Sequence, residues 1–408
     1  MGDRDESEEE RMFSGLRRVA CWLSVLLTGA ATTGTAHADP VAPAAWLWTS
    51  MGTPGGVTAV ERVGAVSIPD GSQSADRPYV FVLASDGTLR GNWPNGSSWI
   101  WSNLGAPEEG IVGGVGVAGI KNSLSAAERP YAFVLGKDGN LWVNQLTGST
   151  STWTNHRSPE VGIDAGLGVV EVKDTPTSAE RSYTFVRGKD GNLWVNEWVG
   201  NGWTWTNQGK PDGRVILGAA GVTKVRDSST SPERPHAFVR ASDGNLWLLK
   251  RTGGAWTWTS QGAPRGGIDG PVDAITVSST STGADRLHVF TRDRQGNLWL
   301  NQWTGSAWTW TDQGKPGNGV IGRVGAVSVR DSPSAPQRPY AFVRTKDGHM
   351  WVNQWTGSAW TWTDQGMVPD GVDEGIGVTT VKDAPSAPQR PYAFIRTPAG
   401  GLALSWWR

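Results

Sequence analysis

Apolar and polar residues along this chain fall into short runs, four to a unit, and the unit recurs. In the copy near Val324, "VGAVSV" is apolar and β-branched, as a strand buried near an axis would be. "RPYAFVR" and "HMWVNQW" alternate with a period of two, and "AWTWT" sets two Trp on one face and Thr on the other. Asp-Gly separates the second run from the third at Asp86-Gly87, Asp138-Gly139, Asp190-Gly191, Asp243-Gly244 and Asp347-Gly348. It predicts a hairpin turn, because Gly tolerates the positive φ that such turns need. Thr304-Gly305 and Thr356-Gly357 predict the turn into the fourth run.

The unit has a nearly fixed length. The Arg of "RPY" or its variants stands at Arg77, Arg129, Arg181, Arg234, Arg286, Arg338 and Arg390, in steps of 52 or 53 residues. The second Trp of "WxW" keeps the same spacing at Trp48, Trp101, Trp153, Trp205, Trp258, Trp310 and Trp362. Seven copies with a period near 50 and no helical pattern predict an all-β, seven-bladed β-propeller with four antiparallel strands per blade. The last copy, "RPYAFIRTPAGGLALSWWR", has no Trp-x-Trp run, whereas "AWLWT" precedes the first copy. The N-terminal strand Trp46 to Thr49 is therefore expected to complete the last blade, closing the ring and removing a free sheet edge. One domain, 39–408, accounts for all seven copies.

Residues 1–38 read differently. "RMFSGLRR" leads into the apolar run "VACWLSVLLTGA", and "AHA" ends at Ala38. This is the layout of a secretory signal peptide, too short for a membrane span. The acidic opening "GDRDESEEE" is foreign to such a segment and points to Met12 as its start, or to residues 1–11 as an extension. The expected product is a secreted chain, without its single cysteine Cys21 and thus without disulfides. It would carry 33 Lys and Arg against 32 Asp and Glu. So even a balance argues against electrostatic capture of nucleic acid or of an anionic membrane, and no membrane insertion is expected.

The phrase "RPYAFVRTKDGHMWVNQWTGSAWTWTDQG" resembles the repeats of the seven-bladed bacterial lectins typified by the Photorhabdus lectin. The resemblance rests on Arg-Pro-Tyr, Asp-Gly-Asn-Leu-Trp and Trp-x-Trp in combination, and extends over 39–408. It implies a propeller that binds L-fucose and related or O-methylated sugars at shallow sites between neighbouring blades.

The chemistry of the residues points the same way. The chain has 25 Trp and only 5 Tyr. An indole offers a flat apolar platform to the C–H face of a sugar ring, and also a polar N–H. Candidate platforms are Trp205, Trp258, Trp310 and Trp362 in the fourth run, with Trp198, Trp303 and Trp355 at the end of the third. Packing between blades would use the same residues, and for Trp142, Trp194, Trp247, Trp299 and Trp351 packing is the favoured reading. Asn196, Asn301 and Asn353 can donate to and accept from vicinal hydroxyls, or else bond across blades. Arg181, Arg286 and Arg338 are candidate sugar clamps; a structural ion pair would also explain an Arg in every copy. The copies are unequal: Arg90, Leu146, Ser151, Leu249, Arg251 and Ala403 replace Trp or Asn. Complete sets fall in the third, fifth and sixth copies.

No catalysis is expected. A sialidase-like glycoside hydrolase would need mutually positioned carboxylates. The repeated Asp belongs to its turn, and the non-repeated acids Glu108, Glu109, Glu160, Asp373 and Glu374 are not paired by the sequence. His156, His236, His288 and His349 lack metal-ligand spacing, and no phosphate loop or nucleophile motif occurs, so no cofactor is expected. A protein-binding scaffold would explain the fold, but not the repeated Trp and Asn in outer strands. The expected partners are fucosylated or methylated glycans, with self-association into a homo-oligomer left open.

Overall fold

A computed structural model describes residues 45–407, except 71–74, 201, 253, 279–282, 369–370 and 374. The segment read as a signal peptide lies outside the described residues. Seven four-stranded antiparallel sheets follow one another along the chain. Blades 1 to 6 span 59–105, 111–155, 163–207, 216–260, 273–312 and 320–367. In each of these, strand order in space equals strand order in sequence. The seventh sheet takes three strands from 376–407 and its fourth, outermost strand from Trp46–Gly52. Trp46 faces Trp407 and Gly52 faces Leu402, so the ring closes as the sequence predicts.

The inner strands of successive blades touch around the axis. They approach so closely that side chains must give way. A Cβ on Gly116 would stand 2.6 Å from a Val169 methyl, and one on Gly168 would stand 2.7 Å from Val222. That accounts for the glycines in the otherwise β-branched first run. Arg62, Arg323 and Asp273 share the axial cavity of about 270 Å³. Arg62 donates to the Leu167 carbonyl at 2.9 Å, and Asp273 accepts from the Ala326 N–H at 2.7 Å.

The hydrophobic core lies between blades. Phe81, Phe133, Phe185, Phe238, Phe290, Phe342 and Phe394, one per second strand, are all fully buried. In five cases the first Trp of the following blade's outer strand sets its ring against that Phe in a near-perpendicular pair, from Trp46–Phe342 at 5.5 Å to Trp360–Phe290 at 6.0 Å. Such pairs add to the free energy of burying the rings, so each blade interface is bonded much like a protein interior.

Candidate functional site

The second Trp of every outer strand is a pin between blades. Its indole N–H donates to a backbone carbonyl of the preceding blade: Trp205 to His156, Trp258 to Gln208, Trp310 to Gln261 and Trp362 to Gln313, at 2.8 to 2.9 Å. Trp48, Trp101 and Trp153 do the same. These rings are half-buried and their one polar atom is used inside the ring. The third-strand Trp142, Trp194, Trp247 and Trp299 donate to the Asp of their own hairpin turn. In the first copy Arg90 takes over that bond, reaching Asp86 at 2.5 Å. Asn196, Asn301 and Asn353 lie beneath the outer strand with at most 1% exposure, so a ligand at the surface meets none of their amides. Asn196 is bonded to His156 Nδ1 at 2.9 Å.

The dipeptide at the second strand's start, an acid before Arg in five copies and Gln before Arg in two, also divides. Neighbouring residues on a strand face opposite ways. Arg181 and Arg338 therefore pair not with the acid or amide beside them but with Asp174 and Asp331, seven positions back. The preceding residue turns to the previous blade, where it accepts a backbone N–H: Glu180 from Lys121, Glu233 from Lys173, Asp285 from Arg226, Gln337 from Ser278 and Gln389 from Arg330, at 2.7 to 2.9 Å. A neutral donor needs only an oxygen acceptor, which explains why Gln can replace Glu or Asp here.

Open space occurs where the outer parts of two blades diverge. A cleft of about 510 Å³ lies between blades 2 and 3. Arg181, Trp198 and Trp203 line it from blade 3, and Tyr131, Gln145 and His156 from blade 2. Trp198 meets Trp203 edge-on at 5.4 Å and is 37% exposed. Trp203 in turn stacks on His156, centroids 4.1 Å apart. Phe133 lines the same cleft. Burial pushes the His156 pKa down to about 4, so its ring is neutral and acts as part of the wall.

The register places matching residues around the ring. Between blades 4 and 5, Arg286, Trp303 and Trp308 face His236 and Lys250 across about 640 Å³. Between blades 5 and 6, Trp355 and Trp360 form the same pair at 5.8 Å, in the blade that carries Arg338. Other interfaces are filled. Arg251 occupies the Trp198 position in blade 4, lies over Trp256, and bonds Glu197 at 3.0 Å and Tyr183 Oη at 3.3 Å. Leu146, at that position in blade 2, is buried with Tyr79 and Trp93. Trp406 stacks on Tyr392 in blade 7.

Of the sequence-marked residues, the structure thus gathers Arg181 with Trp198, and Arg286 with Trp303, each in one cleft. It holds Trp205, Trp258, Trp310 and Trp362 in the interfaces behind. Trp203, Trp308 and Trp360, together with Gln145, Lys250 and His156, were not singled out by sequence reasoning. Alternation does put Trp203 on the same face as Trp205, but only the neighbouring blade shows which of the two reaches open space. Among the loop acids, Glu108, Glu109 and Glu160 are exposed, Asp373 pairs with Arg396 at 2.7 Å, and Glu374 lies outside the described residues. His349 bonds Asp364, and among the described residues no three His, Cys, Asp or Glu come together as metal ligands.

No protein-family model matches the chain, and no curated protein matches it. Solved structures do. The chain is similar to the BP39L lectin from Burkholderia pseudomallei, with a TM-score of 0.59 and 19% identity, over 86% of this chain and 98% of that one. It is also similar to AofleA from Arthrobotrys oligospora, at 0.51 and 12%, over 80% of this chain and 91% of that one. The Aleuria aurantia lectin in complex with Fucα1-6GlcNAc gives 0.51 and 16%, over 78% and 99%. At these identities the likeness is one of fold.

Proposed function

We propose that the protein is a secreted, multivalent lectin that binds L-fucose or related and O-methylated sugars in the clefts between blades, without catalysis. The observation that carries this reading is the recurrent cleft wall. Two Trp in contact, Trp198 edge-on to Trp203 and the tilted pairs Trp303 with Trp308 and Trp355 with Trp360, stand beside an Arg at the entry to the second strand. An apolar ring face rests on the indoles, and the guanidinium with the polar wall residues meets hydroxyls. Trp205, Trp310, Trp362 and Trp258 then act behind the site by pinning the blade that carries it, and Asn196 does so through His156. Similarity of fold to sugar-binding propellers, one of them seen with a fucosylated disaccharide, supports the sugar class.

The hydrolase alternative gains nothing from these clefts. Between blades 2 and 3 the lining carboxylate is Glu180, which is engaged by the Lys121 N–H and by Lys173 Nζ at 3.3 Å, and between blades 4 and 5 Asp227 is paired with Arg234 while Asp285 is buried against Arg226 and Ser278. A second carboxylate facing it across a glycosidic bond is what such chemistry requires.

A shallow site stacking one sugar should bind with Kd between about 1 mM and tens of micromolar, roughly −4 to −7 kcal/mol. The test is a glycan array probed with the wild type and with Trp203→Ala, Trp308→Ala and Trp360→Ala combined. Fucosylated or methylated glycans should be bound by the wild type and nearly lost by a triple variant that melts as a folded protein. Unchanged binding by the folded triple variant would move the site elsewhere, and turnover of a chromogenic glycoside would favour the hydrolase.

A further inference from the structure

The two clefts differ in charge, and the difference lies at two positions of the repeat, the one opposite the Trp pair and the one seven residues before the Arg. Between blades 2 and 3 every cation is matched: Arg181 pairs with Asp174, and the position opposite is the neutral Gln145. Between blades 4 and 5 the Gln145 position is Lys250, and both Lys250 and Arg286 line the cleft. The acid that would neutralise Arg286 is missing from the sequence, since position 279, seven residues back, is Ser where Arg181, Arg234, Arg338 and Arg390 have Asp. Among the described residues neither the Arg286 guanidinium nor the Lys250 ammonium has an anionic partner.

The other charges facing this cleft cancel. Asp227 is held by Arg234. Asp285 is buried and accepts from the Arg226 N–H at 2.8 Å and from Ser278 Oγ. Arg251 is turned to Glu197 in blade 3. His236, which replaces the Tyr of the repeat, is pushed down to about 4 by burial and is neutral at physiological pH. Two cations are therefore left beside the Trp303–Trp308 pair, whose rings lie 5.7 Å apart.

We propose that the cleft between blades 4 and 5 selects an acidic saccharide, a sugar ring whose carboxylate or sulfate is held by Arg286 and Lys250 while its apolar face lies on Trp303 and Trp308. The inference rests on the reading of these clefts as glycan sites. It gives the ring two kinds of site, neutral between blades 2 and 3 and anionic between blades 4 and 5. An Arg fork matches a planar carboxylate in two parallel hydrogen bonds, and an exposed charged pair is weakened by salt.

The experiment is calorimetry on the full chain with methyl glucuronide, methyl glucoside, a 6-sulfated methyl glucoside and methyl α-L-fucoside. Glucuronide or the sulfated sugar should bind about tenfold or more tightly than neutral glucoside at low salt, and this preference should shrink as salt rises. The variant Lys250→Gln with Arg286→Gln should abolish the preference and leave the melting temperature unchanged, while fucoside still binds between blades 2 and 3, its stoichiometry lowered by at most the one site between blades 4 and 5. If both anionic sugars gain, charge alone is read; if one gains, it names the group. Equal binding of charged and neutral sugars, or a preference that survives the double variant, overturns the inference and leaves the neutral sites standing. Absence of binding by all four sugars overturns the glycan reading along with it.

Discussion

Indoles in this protein have two separate uses, which a change at one atom can tell apart. Trp205 donates its N–H to the His156 carbonyl, whereas Trp203 and Trp198 turn toward the cleft. Trp205→Phe keeps an aromatic ring but loses the donor and should lower stability by about 1 kcal/mol. It should leave sugar affinity within twofold; thermal melts and a sugar titration check both, and a lost affinity with an unchanged melt would reverse the assignment. Glu128 gives a second residue-level prediction. Burial, with the Glu180 and Glu171 carboxylates nearby, pushes its pKa from 4.5 up to about 7. The folded chain then binds a proton that the unfolded chain has released between those values, so this residue's contribution to stability falls as pH rises through the window. Buried His156, His236 and His288 have pKa values pushed down to about 4 and act in the opposite sense, removing stability as pH falls below about 6.5. Comparing Glu128→Gln with wild type at each pH isolates the carboxyl, and Gln already stands at this position as Gln337 and Gln389. The variant should melt higher than wild type at pH 8 and alike at pH 4.5; a shift of equal size at both pH values would contradict the account.

At the scale of the strand, what was legible is what is local. Asp-Gly turns, period-two runs and the orphaned "AWLWT" define strands, blades and closure without knowledge of any neighbour. Partners across blades were not legible, because the residue that a side chain meets depends on how two sheets splay. Glu180 and Arg181 adjoin in sequence and invited reading as a pair. Strand alternation sends one to Lys121 in the previous blade and the other to Asp174. The Asn amides were readable as ligand groups from their face of the strand, but their depth beneath the outer strand was not. The closing strand is the element to test. Trp46 sets its edge against Phe342 at 5.5 Å, and Trp48 donates to the Gln365 carbonyl. A chain beginning at residue 53 loses both contacts and leaves Leu402–Trp407 as a free sheet edge. It should melt several degrees or more below a chain beginning at residue 45, or aggregate. Identical melting curves would show that closure carries no stability.

At the scale of the whole molecule, near-identical blades produce unlike interfaces. Seven junctions share Phe packing and a Trp pin, so each can be varied above that base without loss of the ring. Arg251, Leu146 and Trp406 fill three of them, whereas Trp198 and Trp303 leave two open. On the proposed reading, several weak sites on one rigid ring would engage a clustered glycan surface together, and avidity would exceed single-site affinity by about 10²- to 10⁴-fold. On that reading repetition serves both the closure of the ring and its binding. The most direct measurement of the central claim is a crystal structure of the protein with methyl α-L-fucoside. The account predicts the sugar between blades 2 and 3, its apolar face against Trp198 or Trp203 and a hydroxyl within hydrogen-bond reach of Arg181. A fucoside seated in the axial cavity beside Arg62, or on the outer face of a blade away from every inter-blade cleft, would contradict it.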